Sequence, residues 1–179
     1  GTYSNCTIIV TDSAGNISST LTITTFTIED TVSPTIEKVT AVTTPTNDTT
    51  PDYTFSSDEA GTITYGGFCS SSTTSATTGH NTITLISLND GTYSDCTVSV
   101  TDEAGNISST LSISTFTVDI TTPTISEVTS VTNPTNDSTP NYTFSSSESG
   151  TFTYGGSCSS STTSATSGNN NITLNTLSE

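Results

Sequence analysis

The sequence predicts an all-β protein, an elongated array of tandem two-sheet sandwiches with about seven strands in each. The composition points this way, because the chain is rich in Thr and poor in apolar residues, at 28%. Thr suits a half-exposed strand, where its methyl group packs and its hydroxyl faces water. Apolar residues alternate with polar ones between regular turn signals, and no 3.6-residue period is present. The third observation is an internal repeat.

The repeat sets the predicted domain boundaries. The segment that begins at Gly1 returns from Gly91, and the segment that begins at Pro45 returns from Pro134. The spacing falls from 90 to 89 residues because Glu29 has no counterpart. Proline-containing stretches after Asp30 and Asp119 are the expected linkers. We therefore predict the C-terminal strands of one repeat in residues 1–30, a complete repeat in 31–119, and the N-terminal strands of a third in 120–179.

Two explanations account for the partial repeats predicted in residues 1–30 and 120–179. The chain can be a window on a long repetitive polypeptide, or separate subunits can complete each other's sandwiches by donating strands.

Within the complete repeat, the Ser/Thr-rich stretch after Cys69 is expected to be a loop or a weak edge strand. The other predicted strands are Ile36–Val42, Asp52–Ser56, Thr62–Tyr65, Thr82–Leu88, Thr92–Thr101 and Thr110–Val118.

A tyrosine precedes the sixth predicted strand in each copy, at Tyr3 and Tyr93. Its position resembles the tyrosine corner of immunoglobulin-like sandwiches, where the hydroxyl bonds to the preceding turn. Because Tyr93 lies three residues before Cys96, a bulge near Ser94 or Asp95 is needed to turn both side chains inward. An ordinary core aromatic residue is the alternative.

The motifs together resemble a known family. Asp-Gly-Thr-Tyr, an alternating strand, Thr-Asp-x-Ala-Gly-Asn and a Ser/Thr-rich strand occur in this order from Asp90. This pattern resembles the bacterial immunoglobulin-like (Big-type) tandem repeats of giant surface adhesins and extracellular filaments, over the whole chain. The resemblance implies extender arms, many of which bind calcium where adjoining domains meet. Cysteine pairs are not a general feature of that family.

The four cysteines, two in each copy, are therefore interpreted from these residues alone. They form no CxxC motif, and the chain has a single histidine, so disulfides are favoured over a zinc site. Buried free thiols are the alternative. We predict that Cys69 pairs with Cys96. Cys6 and Cys158 are predicted to pair with cysteines of adjoining copies or subunits. Disulfides indicate an extracellular or cell-surface location.

Acidic turns at one end of the complete repeat form a candidate calcium site. Two turns and the incoming linker converge there, and Ca²⁺ prefers oxygen ligands of this kind. The alternative is that Asp, Asn and Gly are present because turns require them. The third repeat departs from the pattern, with Ser147 where the second has an aspartate. The candidate ligands are Asp30, Asp58, Glu59, Asp102, Glu103 and Asn106.

Charge and side-chain chemistry exclude several functions. The chain has 17 acidic residues and one basic residue, which disfavours nucleic acid and anionic membrane surfaces as partners. No apolar run predicts membrane insertion in this segment. The lone histidine, His80, is replaced by Asn169 in the next copy, so a repeated catalytic base is absent and no enzyme activity is expected.

These observations predict a non-catalytic structural extender of an extracellular bacterial surface adhesin or fibre. Disulfides and calcium would make it rigid, and its partners would be identical repeats or subunits joined end to end. One alternative is a filament subunit that polymerises by strand complementation between incomplete terminal domains. A carbohydrate- or ice-binding module is the other alternative.

Overall fold

The computed structural model describes residues 1–178, and the regular structure in that part of the chain is entirely β-strand. The predicted all-β class is confirmed. The chain divides into two compact units, one of Gly1–Ile120 and a second that begins at Thr121. This division falls within two residues of the predicted linker at Asp119, and it places residues 1–30 in the same unit as the complete repeat.

Residues 1–30 form two short antiparallel ladders. Strand β1 pairs with β4 through Tyr3 and Phe26, and β2 pairs with β3 through Ile8 and Leu21. Every side chain of this segment is exposed except that of Cys6, which is partly buried. The apolar face of the ladders is therefore uncovered by the described residues. The strands are β1 (Thr2–Tyr3), β2 (Thr7–Ile8), β3 (Leu21–Thr22) and β4 (Phe26–Thr27).

The complete repeat folds as two facing sheets. One sheet has the order β5-β6-β9, and the other has the order β12-β11-β7-β8; β10 and β13 pair separately. Neighbouring strands are antiparallel throughout. The strands are β5 (Ile36–Thr40), β6 (Asp52–Ser57), β7 (Gly61–Gly66), β8 (Ser75–Ala76), β9 (Gly79–Thr84), β10 (Gly91–Tyr93), β11 (Thr97–Thr101), β12 (Leu111–Ser112) and β13 (Phe116–Val118).

The last two predicted strands are each divided in the structure. The strand predicted over Thr92–Thr101 becomes β10 and β11, with a break at residues 94–96 where a bulge was expected. A strand alternates its side chains, so Tyr93 and Cys96 cannot both point inward without this break. The strand predicted over Thr110–Val118 divides in the same way. Its first part, β12, pairs with β11, and its second part, β13, pairs with β10. The chain thus changes its pairing partner part-way along both strands.

The core of the complete repeat lies between these sheets and combines residues from both ends of the repeat. Strands β6 and β9 supply Tyr53, Phe55 and Ile83, which are fully buried. Segment 91–119 supplies a comparable set from the other side. Those residues are Cys96, Val98, Val100, Ile113, Phe116 and Val118.

The second unit repeats the first part of this sandwich. Strands β14, β15 and β18 form a sheet in that order, with the pairing Tyr142–Ile172 that matches Tyr53–Ile83 in the complete repeat. Strands β16 and β17 pair separately. The bounds are β14 (Ile125–Thr129), β15 (Asn141–Ser146), β16 (Gly150–Thr151), β17 (Ser164–Ala165) and β18 (Gly168–Thr173).

Over residues 1–178 we find no helix with the length and apolar character needed to cross a membrane.

The hydroxyl of Tyr53 provides a test of core packing. It is buried, and it has no hydrogen-bond partner among residues 1–178. Burial also raises the pKa of this phenol. Because an unsatisfied buried hydroxyl destabilises a fold, Tyr53→Phe should raise the free energy of unfolding by about 1 kcal/mol. Urea denaturation followed by circular dichroism measures it.

The matched control is Tyr142→Phe at the equivalent position of the second unit, where the side chain is half-buried. Desolvation, followed by the negative charge of Glu127, raises the pKa of this phenol, so its hydroxyl lies within reach of a polar group. This substitution should bring no gain. A loss of stability in Tyr53→Phe would show that the Tyr53 hydroxyl has a partner in solution.

Candidate functional site

Cys69 and Cys96 form a disulfide, the pair that the sequence predicts. Cys69 follows β7 and Cys96 precedes β11. These strands run antiparallel, with Gly66 opposite Thr97, so the residues just beyond their paired ends meet, with Cα atoms 5.2 Å apart. Both side chains are buried in the core. In the chain-entropy description, a cross-link over such a loop stabilises the fold by about 3.5 kcal/mol.

Cys6 and Cys158 have no disulfide partner within the part of the chain that the structure describes. Cys6 is half-buried and Cys158 is exposed. By the repeat they stand at the positions of Cys96 and Cys69, respectively. Their pairing with adjoining copies stays a prediction.

Tyr93 connects the turn before β10 to the core. Its hydroxyl donates a hydrogen bond to the backbone carbonyl of Asn89 (3.0 Å), and its ring stacks on Phe116 with centroids 5.3 Å apart. Tyr3 stacks on Phe26 in the same manner, at 5.1 Å, but its side chain is 46% exposed. The stacking therefore forms locally from the β1–β4 pairing and does not need a closed sandwich.

The Thr-Asp-x-Ala-Gly-Asn motif forms a self-contained turn. Asp102 accepts hydrogen bonds from the backbone N–H and the side-chain Nδ2 of Asn106, both at 2.8 Å. Asp12 and Asn16 form the same two bonds at the same distances. The side-chain bond from Asn106 is the main reason why the pKa of Asp102 lies below its ordinary value. The motif thus has a structural role that is independent of any ligand.

Asn106 also joins this turn to the linker, because its Nδ2 donates to the backbone carbonyl of Asp30 (3.2 Å). Beside this contact the carboxylates of Asp30, Glu59 and Asp102 lie together, each offering one oxygen within 4.8 Å of the others. Partial desolvation, followed by the negative charges of Asp30, Asp58 and Asp102, raises the pKa of Glu59. The cluster is therefore electrostatically repulsive.

The structure brings together three of the six predicted calcium ligands: Asp30, Glu59 and Asp102. The other three do not join this group of oxygens, although Asp58 and Glu103 line the same depression of the surface. Asp58 accepts a hydrogen bond from the backbone N–H of Thr35 (2.6 Å), which fixes the chain before β5. Asn106 directs its amide N–H groups at oxygens, and Glu103 is exposed.

Comparison with known proteins agrees with this geometry. The profile of the family described as "Bacterial Ig-like domain" matches residues 39–120. Residues 39–120 form a bacterial Ig-like domain. Searches of curated proteins and of solved structures gave no match. The matched range covers β6 to β13 and ends at the linker after β13, so the disulfide lies inside the Ig-like domain, while Asp30 precedes it.

A buried amide network in the Ig-like domain was missed from the sequence. Asn81 accepts a hydrogen bond from Thr77 N–H (2.8 Å) and donates through Nδ2 to the carbonyls of Thr77 (2.8 Å) and Gly79 (3.0 Å). Asn170 repeats this network in the second unit. The signal was present, since Asn recurs two residues after the same glycine in both copies.

The disulfide of the Ig-like domain can be tested by replacing both cysteines. The double variant Cys69→Ala/Cys96→Ala should lower the free energy of unfolding of this domain by about 3.5 kcal/mol, because the unfolded chain regains the entropy of an open loop. Denaturant unfolding of the oxidised wild type and the variant measures the difference.

The control is Cys6→Ala/Cys158→Ala, whose cysteines lie outside the closed sandwich. It should leave the unfolding of the Ig-like domain unchanged. Equal stability of the Cys69→Ala/Cys96→Ala variant and the wild type would mean that the cross-link contributes nothing to this fold.

Proposed function

We propose that the chain is a non-catalytic spacer in an extracellular bacterial surface protein or fibre, in which Ig-like domains follow one another along the polypeptide. The observation that carries the proposal is the internal repeat, in which one closed, disulfide-linked sandwich is flanked by two parts of the same sandwich. Repetition of one rigid domain produces length without new chemistry. The buried disulfide favours an oxidising, exported location.

The chemistry of the described side chains supports a role without catalysis. His80 lies exposed in β9, opposite Ser56 of β6, and its counterpart is Asn169. The clustered carboxylates lie at turns and at the linker, and Asp102 already accepts two hydrogen bonds from Asn106 within its turn. No arrangement of nucleophile, base and orienting group is formed by these residues.

The second part of the proposal is that calcium reinforces the junction between the linker and the Ig-like domain. Asp30, Glu59 and Asp102 would hold the ion, since three converging carboxylates are a donor set that suits a hard divalent cation. The raised pKa of Glu59 is in keeping with this, because, besides partial desolvation, it reflects the negative charges of Asp30, Asp58 and Asp102, which a cation would neutralise. A bound ion would supply only charge neutralisation and cross-linking of the linker to the two turns.

Substitution of Glu59 tests the role of calcium. In a chelator at neutral pH, Glu59→Gln should melt at a higher temperature than the wild type, because the raised pKa of Glu59 means that its ionisation destabilises the folded state. With calcium added, the wild type should gain more stability than the variant. Thermal unfolding with calcium and with chelator measures both effects.

The matched control is Glu148→Gln, the equivalent glutamate of the second unit, which has Ser147 where Asp58 stands beside Glu59. It should leave the calcium response intact. If calcium leaves the melting temperature of the wild type unchanged, the calcium part of the proposal is wrong while the spacer remains.

A second candidate function is a filament subunit, in which repeats are completed by strands that other copies donate. The size of the natural chain distinguishes the two. A spacer should run as one very long polypeptide under denaturing, reducing conditions, whereas a subunit should run at the size of a single short chain.

The spacer also requires exposure at the cell surface. Antibodies raised against the Ig-like domain should label intact, unpermeabilised bacteria, and the label should lie at a distance from the envelope that shortens when repeats are deleted. Electron microscopy with gold labels measures this distance. Labelling only after permeabilisation would contradict the proposal.

A further inference from the structure

The first and last parts of the Ig-like domain are hydrogen-bonded to each other. Thr46, which follows β5, lies beside Val118 of β13 in a parallel bridge, whereas the ladders of this domain are antiparallel. The backbone N–H of Thr46 donates to the carbonyl of Thr117 (3.0 Å), and the N–H of Asp119 donates to the carbonyl of Thr46 (2.8 Å). The hydroxyl of Thr44 accepts a third bond, from the N–H of Thr117 (2.9 Å). We call these three hydrogen bonds the terminal clamp.

Strand β13, on one side of the terminal clamp, is firmly seated in the domain. It pairs along its whole length with β10, where Gly91–Tyr93 lie opposite Phe116–Val118. The side chains of Phe116 and Val118 are fully buried in the core. On the outer face, the hydroxyls of Thr92 and Thr117 share a hydrogen bond (3.1 Å). A pull on β13 is therefore transmitted to the body of the sandwich.

The segment on the other side of the clamp is also fixed. The hydroxyl of Thr46 accepts a hydrogen bond from the N–H of Asp48 (3.0 Å), and the carboxylate of Asp48 accepts one from the N–H of Thr50 (2.8 Å). The N–H of Leu88 donates to the carbonyl of Thr49 (2.8 Å), which ties this turn to the chain after β9. Thr46 consequently cannot slide along β13 without displacing a turn that is bonded to the domain.

The direction of the chain determines how tension loads the terminal clamp. The chain enters the domain before β5 and leaves it after β13, so tension pulls Thr46 backwards along its segment and β13 forwards along its own. Because the two run parallel, these pulls act in opposite directions along neighbouring strands. Hydrogen bonds between strands run across the strand direction, so all three are loaded in shear at the same time. Strands that are pulled from the same end would instead separate one bond at a time.

We propose that the terminal clamp makes the Ig-like domain resist tension along the polypeptide, and that the clamp must break before the core can open. Loss of the pairing between β5 and β6 releases only the chain before Thr46. The strands that supply the core, from β6 to β12, all lie between the two sides of the clamp, so tension reaches them only after it breaks. That the domain experiences tension rests on the proposed spacer function, whereas the clamp is a property of the fold.

The disulfide limits how far the domain can lengthen once the clamp has broken. Cys69 and Cys96 both lie between Thr46 and β13, and tension passes through their S–S bond in place of the chain between them. Their separation of 27 residues, at roughly 3.4 Å per extended residue, withholds about 90 Å of chain. An opened domain therefore keeps part of its chain out of the path of the force.

One substitution in the clamp, with a matched control, tests the proposal. The full chain is held by tags at both ends in magnetic tweezers, and the rate of opening of the Ig-like domain is measured at constant force. Thr44→Val removes the acceptor of one clamp bond from an exposed side chain, and it should raise this rate about fivefold, the effect of one net hydrogen bond on a barrier. Circular dichroism verifies that the variant is folded.

The control is Thr82→Val, which also removes one exposed hydroxyl. That hydroxyl shares a hydrogen bond with Thr54 (2.9 Å) between β9 and β6, away from the clamp. The two variants should lose similar amounts of stability in urea. Under force, however, Thr82→Val should open at the wild-type rate within about twofold, because its missing bond joins strands that stay paired until the clamp has broken.

The wild type provides a second test that needs no substitution. The chain between Thr46 and Thr117 should be released in one step, since the clamp is the last barrier before it. A reductant added to the opened domain should then cut the exposed disulfide and release a further step of about 90 Å.

Several results would overturn the proposal. These are an opening rate of Thr44→Val equal to that of the wild type, equal acceleration in both variants, and release of the core strands in several steps that begin while the clamp is intact. Absence of the further step would refute the limit set by the disulfide. Labelling at the cell surface is a separate measurement, so a failed clamp would leave the spacer function standing.

Discussion

The packing of segment 91–119 against residues 31–90 is the contact on which the complete repeat depends. The two segments supply opposite sides of one core, in which Phe55 and Ile83 meet residues such as Val100 and Phe116. The chain as a whole has few apolar residues, so this core is small and each contribution to it matters. The disulfide joins the same two segments. The disulfide and the hydrophobic core therefore stabilise the same contact, that between segment 91–119 and residues 31–90.

The sequence was sufficient to predict the sandwich and its cross-link, because both follow from pattern. Alternation located the strands, and the repeat showed that Cys69 and Cys96 belong to one domain. The division of the last strands was beyond that reasoning. Tyr93 and Cys96 signalled a local irregularity, but an exchange of pairing partner depends on the twist of both sheets, which no local pattern encodes. The burial of Asn81 likewise depends on a loop that closes only in three dimensions.

The candidate cation site shows a different limit. Turn composition identified all six acidic and amide residues, yet turn formation and ion binding require the same residue types. The structure separates these roles in part. Asp102 and Asn106 make the same turn as Asp12 and Asn16. Glu59 lies near Asp30, in contrast, because the linker that carries Asp30 runs beside this turn, where Asn106 bonds to it. The convergence is a property of the tertiary structure, so residue type alone could not select these three carboxylates.

The scarcity of positive charge has a consequence for durability. Lys38 is the single basic residue, and it lies in β5 opposite Phe55. Proteases that cut after Lys or Arg therefore have one bond to attack, and it lies in a strand that is paired with β6 on both sides of a register shift between Lys38 and Thr40. Digestion by such enzymes must wait until the edge of this sheet opens. Any secreted material made of this sequence would thus outlast ordinary proteins in a trypsin-rich environment.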